Sequence, residues 1–296
     1  MKIIGIVVLN YLNYQDTFEC IDSILKQTSK NTVITIVDNN SPNESFKELL
    51  FKYKSKKNIY VLKTESNLGY SRGNNVGINF LIEKFNIYNI LICNNDVVFL
   101  DNNYIEKLIS IRITKNIGAI GTEIIGSDGK NQNPQRLELS IKYFTTFILK
   151  AYIKKKLGFL FSKIKKFKMN NEQSIKIIKN ENVSSGILSH NTVLHGSVLF
   201  LTENYLKEVK GFYPETFLYF EENILKIIMN KLDLKMYYVD YLKVYHKEDQ
   251  SSAMSFNNDS EIKKKYSVHS AKIAIKVLLM NKRMLINEKF KYEQQI

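Results

Sequence analysis

Four short stretches of the chain carry side chains suited to work on a phosphorylated substrate. Asn94-Asn95-Asp96 follows the apolar run Ile90 to Cys93. A carboxylate so placed can hold a divalent cation, and Mg²⁺ takes only one or two carboxylates together with phosphate oxygens. The same residues would equally suit a plain turn, which Asn and Asp favour. Arg72 lies in Asn67-Leu68-Gly69-Tyr70-Ser71-Arg72-Gly73-Asn74-Asn75 and is one of only four arginines against 39 lysines. Its planar fork can grip a phosphate in a bidentate manner. Gly69 and Gly73 allow close backbone approach, and a helix starting after this loop would offer free amides to an anion. The alternative is a solvated arginine in a Gly/Asn turn. Asp38, at the end of a second β-branched run, is placed to accept hydrogen bonds from a nucleobase or ribose, or else to cap the next helix.

Glu221 and Glu222 form the fourth stretch, at the expected start of a helix. Adjacent helical residues point about 100° apart, so only one of the pair can face a reacting hydroxyl. A carboxylate there with a suitable pKa would serve as a general base. The plainer reading is a solvated acidic first turn that the helix dipole favours. His246, after a strand-like run, offers a metal ligand or a donor to phosphate, though a lone histidine is as readily structural. His190 and His195 have weaker claims.

The elements that must position these groups are legible from hydrophobic pattern. Ile3 to Leu9 is a short β-branched run that reads as a strand covered on both faces, and Val33 to Val37, Ile59 to Leu62 and Ile90 to Cys93 read as a second, third and fourth strand. Helical spacing fills the intervals at Gln15 to Gln27, Asn43 to Lys54 and up to Lys84. Strands alternating with helices imply a mostly parallel sheet with right-handed crossovers, and such sheets bind ligands beyond the carboxyl ends of their strands. The polar clusters Asn10-Tyr11, Asp38-Asn39-Asn40, Asn67 to Asn75 and Asn94-Asn95-Asp96 all fall at such ends, so four loops are expected to converge on one edge. Farther along, Ile117 to Ile125 reads as a strand, Leu137 to about Phe167 as a helix, and Asn170 to His190 as polar and poorly periodic. His195 to Leu201, Met236 to Val239 and Leu242 to Tyr245 read as strands, and Asp259 to Arg283 as a basic amphipathic helix.

Composition narrows the class. At 296 residues with 44% hydrophobic content, three prolines and twelve glycines, the chain is globular. Met1 to Asn10 reads as a strand and not a signal peptide. No apolar run approaches the roughly 20 residues of a membrane-spanning helix, so a cytoplasmic location is expected. Cys20 and Cys93 show no metal or redox spacing and are expected as buried thiols. The net charge of +14 attracts anions without choosing among them. With no nucleic-acid motif, and with the basic residues outside the α/β part, nucleic acid is not an expected partner.

With those residues in view, the chain resembles the family 2 glycosyltransferases of the GT-A fold, particularly the bacterial, rhamnosyltransferase-like enzymes that build capsule, O-antigen and other surface polysaccharides. The resemblance runs from Ile3 to about Leu108 and again from His195 to His246. It is carried by Val7 to Tyr14 (VVLNYLNY), VDNNS from Val37, NLGYSRGNN from Asn67, LICNNDV from Leu91, GSVLFL from Gly196, FLYFEENIL from Phe217 and KVYHK from Lys243. It implies a Rossmann-like, mostly parallel central sheet flanked by helices, with a helical insertion and a C-terminal helix. By resemblance, Asp96 is a metal ligand in the diphosphate motif with Asn94 and Asn95, and His246 lies near metal and phosphates. Asp38 matches the nucleobase position, with Asn10, Tyr11, Asn40, Gly69, Arg72 and Asn74 completing the donor side. Glu222 matches the inverting base and Glu221 is the alternate. Two departures stand out: asparagine where a first aspartate is common, and at 222 a glutamate, longer by one methylene, where aspartate is more usual.

The resemblance further implies a divalent cation, Mg²⁺ or Mn²⁺, a nucleoside-diphosphate sugar as donor and a glycan or lipid-linked glycan as acceptor. Four regions are expected: a nucleotide-sugar half over 1–125, a basic helical insertion over 126–193, an acceptor and catalytic-base half over 194–250, and a helical extension over 251–296. Between Lys150 and Lys168 there are eight lysines and no acid, so this stretch suits an anionic membrane surface as well as a plain solvated face.

Overall fold

The computed structural model describes residues 3–136, 139–161, 184–248 and 260–287. The first part alternates as expected: β1 (Ile4–Asn10), α1 (Tyr14–Leu25), β2 (Thr32–Asp38), α2 (Ser45–Tyr53), β3 (Ile59–Lys63), α3 (Gly69–Phe85) and β4 (Ile90–Asn94). Asn13 caps α1 by accepting from the Asp16 amide. Asn86, in the left-handed conformation that Asn tolerates, closes α3. There follow β5 (Val97–Phe99), α4 (Tyr104–Ser110), β6 (Ile117–Ile125), β7 (Gln135–Arg136), α5 (Ile141–Phe161), β8 (Gly186–Ile187) and β9 (Thr192–Val193). The chain continues with β10 (Val198–Leu201), α6 (Glu203–Leu206), α7 (Glu221–Lys231), β11 (Lys235–His246), α8 (Ser260–Leu279) and α9 (Lys282–Asn287).

One sheet runs in the order β3-β2-β1-β4-β10-β6-β11-β5, with β8 beside β11. Strands β3, β2, β1 and β4 are parallel, as are β6 and β11. Antiparallel β10 joins the two parallel parts, and β5 and β8 pair antiparallel with β11. The sheet is therefore mixed, with its parallel core in the N-terminal half. Side chains alternate between two buried layers, as the period of a strand requires. Ile6, Val8, Leu91, Cys93, Val198 and Phe200 pack with α1, α2 and α4 residues such as Ile21, Leu49 and Ile105. Val7, Ile92, Leu199 and Leu201 pack on the other face with Ile78, Ile228 and Ala274 from α3, α7 and α8. Fully burying each such aliphatic side chain stabilises by about 1.5–3 kcal/mol.

Several boundaries differ from the pattern reading. The runs expected as two strands over 236–245 form the single β11, which shifts register against β6 between Val239 and Lys243. A bulge keeps one strand continuous where alternation alone suggests a break. The helix expected over 137–167 is observed as Ile141–Phe161; residues 162–183, with much of the basic stretch and of the polar segment after it, lie outside the described residues. The C-terminal helix stops at Leu279 and resumes as α9; residues 249–259 and 288–296 are likewise outside them. No described helix is long and apolar enough to cross a membrane.

Candidate active site

Register alone brings the expected loops to one edge. Asn10 pairs with Asp38, Leu9 with Asn94 and Asp38 with Lys63, so β1 to β4 end level. Strand β10 begins there, Val198 lying opposite Cys93, and β11 ends there, His246 lying opposite Val97. Asp96, His246 and the segment His195-Gly196-Ser197 therefore share that edge.

At the ends of β1 and β2 the polar groups knit the loops together. Asp38 is fully buried; it accepts from Asn10 Nδ2 at 2.7 Å, the Ser41 amide at 3.0 Å and the Ser41 hydroxyl at 2.7 Å. Thr17 in turn donates to Asn10 Oδ1 at 2.8 Å. Half-buried Tyr11 turns the chain, its carbonyl accepting from the Asn13 amide. Asn40, at φ 57°, donates to the Glu65 carbonyl. Asn39, absent from the residues singled out by motif, holds the next loop: Oδ1 accepts from the Leu68 amide at 2.9 Å, and Nδ2 donates to Asn67 Oδ1 and the Gly69 carbonyl.

Helix α3 corrects one expectation. It begins at Gly69, before Arg72 and not after the loop, and its first two amides are not open to an anion. The Gly69 amide donates to Asn67 Oδ1 and the Tyr70 amide to the Phe217 carbonyl, both near 3 Å. The cause is a close approach of the segment before α7: Gly69 sits at φ 75°, and a Cβ there would overlap the Phe217 carbonyl oxygen. Arg72, in the first turn of α3, is exposed and has no hydrogen-bond or ion-pair partner among the described residues. Its guanidinium is available to a ligand. Asn74 is buried and donates to the Tyr70 carbonyl, leaving its Oδ1 without a partner.

In the 94–96 motif the three side chains have different surroundings. Asn95 is buried and donates to the Asn13 carbonyl at 2.8 Å, tying the turn to α1. Half-buried Asn94 donates its amide to the Ser197 carbonyl at 2.8 Å. Asp96 is 6% exposed, and its buried Oδ1 has no hydrogen-bond partner. The nearest imidazole atom, His246 Nε2, lies 3.3 Å from that oxygen but out of hydrogen-bond alignment. A buried unsatisfied carboxylate oxygen is costly, and one facing an imidazole nitrogen fits a divalent cation between them. Among the described residues no group of three or more His, Cys, Asp or Glu side chains could enclose a metal. The pair thus matches the sparse mode in which phosphate and water complete the coordination.

Two contacts here were not visible as motifs. His246 Nδ1 lies 3.0 Å from Gln132 Oε1. His195 packs edge-on against His246, with ring centroids 5.6 Å apart, and its Nδ1 accepts from the Ser197 amide. Burial, with His246 adding to it, pushes the His195 pKa down to about 4, so the ring is neutral with its proton on Nε2.

The acidic pair reaches this edge from the opposite side. Tyr219 and Phe220 take φ of 74° and 65° just before α7, a strained entry for non-glycine residues. Phe220 is held by edge-on contacts with Phe144 and Phe147 of α5. The two carboxylates then diverge. Glu222 is half-buried, and its Oε1 accepts from the Gly196 amide at 3.1 Å. Glu221 is buried with Oε1 unpartnered. Burial, then the neighbouring Glu222, pushes Glu221 up to about 8, and burial also raises Glu222. The favourable dipole of an N-terminal turn, about 0.3–1 kcal/mol, is outweighed by desolvation. Tyr70, whose hydroxyl donates to the Gly196 carbonyl at 2.7 Å, braces the same residue from α3. Gly196 thus links the acid to the histidines, and a Cβ there would overlap the Glu222 carboxylate.

Comparison with known proteins bears on the fold and the family. A hexosyltransferase of low-salt glycan biosynthesis from Haloferax volcanii, Agl10, is 27% identical over 133 residues, which are 44% of this chain and 40% of that protein. The match therefore spans less than half of that relative's length. The S. aureus TarS structure in complex with UDP-GlcNAc aligns with a TM-score of 0.56 and 13% identity, over 98% of this chain and 72% of that one. A mannosyltransferase from Pyrobaculum calidifontis, in complex with GDP-Man and Mn²⁺, aligns at 0.53 with 8% identity, over 93% and 71%. These structural likenesses establish a shared GT-A-like fold. The description Glycosyl transferase family 2 matches residues 4–176, more than half of the sequence, and the chain belongs to that family.

Proposed function

We propose that the protein is an inverting glycosyltransferase that moves a hexosyl or deoxyhexosyl group from a nucleoside-diphosphate sugar to a hydroxyl of a glycan or lipid-linked glycan, in the synthesis of a surface polysaccharide. The observation that carries this reading is the link through Gly196. The Glu222 carboxylate is held on its amide, while the adjoining His195 packs against His246, which faces Asp96. A base on one side and a phosphate-charge site on the other is what displacement at a sugar carbon requires.

Asp38, with Asn10, Tyr11 and Asn40, shapes the nucleoside end; Gly69 and Asn74 set the turn that presents Arg72; Asn94 and Asn95 fix the turn that presents Asp96. Asp96 and His246 would hold a divalent cation, which when bound offsets charge on the departing diphosphate. Arg72 adds a second cationic contact to the phosphates. Glu222 takes the proton of the acceptor hydroxyl. Its amide contact fixes its direction, and its raised pKa makes it a stronger base. Glu221 is kept protonated at neutral pH by burial, which makes it the poorer base and favours the second acid of the pair.

Helix α5 supports a peripheral contact with the inner face of an anionic membrane. Ile141, Leu149, Tyr152 and Ile153 are exposed at 42%, 59%, 50% and 45% and recur at helical spacing, flanked by exposed Lys142, Lys150 and Lys154. Between α5 and α8 a cavity of about 510 Å³ is lined by Tyr152, Phe217, Tyr266, Lys264, Lys265 and Lys272 among others. Its apolar floor and basic rim suit an amphiphilic acceptor that carries phosphate.

The test is to incubate the protein with a panel of nucleotide sugars, Mn²⁺ and candidate acceptors, and to read the anomeric configuration of the product by NMR. Inversion relative to the donor is expected. Retention of configuration, or nucleotide binding without product for every donor and acceptor, would overturn the reading.

A further inference from the structure

We propose that Gln132 is a positioning residue that fixes the tautomer of His246 and so turns a lone pair, on Nε2, toward the cation held at Asp96. The proposal rests on the reading of Asp96 and His246 given above and adds a residue from the 126–193 region, which no site motif in the sequence singled out.

Gln132 is rigidly placed. The hairpin after β6 turns at Gly126 to Gly129, with the Gly126 amide donating to the Lys130 carbonyl and the Gly129 amide to the Gly126 carbonyl. The Gln132 amide returns to the Ile124 carbonyl at 2.8 Å. Asn131 and Asn133 flank it with their own contacts: Asn131 Oδ1 accepts from the Ile124 and Asn133 amides, and Asn133 Nδ2 donates to the Thr122 carbonyl at 2.7 Å. The side-chain amide is oriented as well. Its nitrogen and a Glu248 carboxylate oxygen both crowd the bare face of Gly126, which leaves Oε1 to the imidazole.

An amide oxygen 3.0 Å from Nδ1 accepts a hydrogen bond and has no proton to donate. In the neutral form that binds a metal, the ring then carries its proton on Nδ1 and leaves Nε2 bare. That bare nitrogen stands 3.3 Å from Asp96 Oδ1, itself buried and without a hydrogen bond. Two electron-rich atoms at that distance repel each other unless a cation lies between them. The backbone holds the facing pair, since the Lys247 amide donates to the Asp96 carbonyl at 3.0 Å. Outer contacts of this kind orient a metal-binding histidine, and their loss lowers metal affinity by roughly 10–100-fold.

The experiment measures Mn²⁺ affinity directly, from the free-ion paramagnetic resonance signal, with UDP, GDP and dTDP added in turn. Gln132→Leu removes the acceptor, whereas Gln132→Glu keeps one for Nδ1–H. The expected result is Mn²⁺ binding weakened roughly 10–100-fold by Gln132→Leu and kept within a few-fold of wild type by Gln132→Glu, at matched thermal stability. Should the leucine variant fail to fold, Gln132→Met supplies the same lesion. Equal weakening in both variants, unchanged affinity in the leucine variant, or no saturable Mn²⁺ binding by the wild type would each overturn the proposal. Turnover in the same samples with a chelator separates the two claims: activity that survives chelation removes the cation role and leaves the transfer reading standing.

Discussion

The two acids of α7 have the same side chain and opposite circumstances, and pH separates them. Folded Glu221 titrates at about 8 because it is buried, against about 4.3 for a free glutamate. Between those values the folded state holds a proton that the unfolded state has lost. Stability is then highest below the unfolded pKa and falls as pH rises through that window. Glu221→Gln should abolish this decline, so calorimetric melting of variant and wild type should coincide at about pH 4 and diverge by about pH 8, the variant melting higher. A gap that does not grow with pH contradicts the burial argument. Glu222 is also raised, so the acid limb of the kcat profile should lie above the ordinary carboxylate range, and Glu222→Gln should flatten it. At this scale much was legible in the sequence. Asp96, Arg72 and His246 stood out by type and by place near strand ends, and the acidic pair by its place at a helix start. Gln132 and Asn39 did not, because glutamine and asparagine in loops are common and their partners are distant in sequence, and His195 was given only a weaker claim.

At the scale of elements, β1, β2 and β4 were readable because they are buried on both faces and therefore written in near-continuous apolar runs, and the part-buried edge strand β3 because its short apolar run stands between polar stretches. The antiparallel β10 and the bulge in β11 are consequences of pairing across more than a hundred residues, which local pattern does not encode. The start of α3 was misplaced for a related reason: beside the local Asn67 side chain, its first turn is satisfied by the Phe217 carbonyl from far along the chain. Helix α5 has a role in the site that its sequence conceals. Phe144, fully buried, and Phe147 hold Phe220 in its strained conformation ahead of the acids. Phe144→Ala should cost about 3–5 kcal/mol of stability and lower kcat by more than it alters nucleotide affinity. Chemical denaturation and steady-state kinetics would check this, and an unchanged kcat in the folded variant would mean that α5 does not support the acidic turn.

The described residues are built around one mixed sheet whose parallel strands β1 to β4 end in the loops of Asp38 and Asp96, and to the same edge come His195 ahead of β10, His246 at the end of β11 and Glu222 from α7. Its charge of +14 acts over the surface and not in the core. Replacing Lys142, Lys150 and Lys154 together by alanine should weaken binding to anionic vesicles on the order of 100-fold at low salt, at about 1 kcal/mol per lysine, while neutral vesicles bind neither form. Vesicle flotation that is insensitive to these changes would remove the membrane contact without touching the chemistry. The central claim is that Asp96 serves the diphosphate and Glu222 the acceptor hydroxyl. The most direct test is a paired measurement of donor affinity and turnover in Asp96→Asn and Glu222→Gln, each with unchanged melting. Glu222→Gln should bind the donor as the wild type does and lose about 10²–10⁴-fold in kcat, whereas Asp96→Asn should lose donor affinity together with turnover. Wild-type turnover in the Glu222→Gln protein, or wild-type donor affinity and turnover in the Asp96→Asn protein, would contradict it.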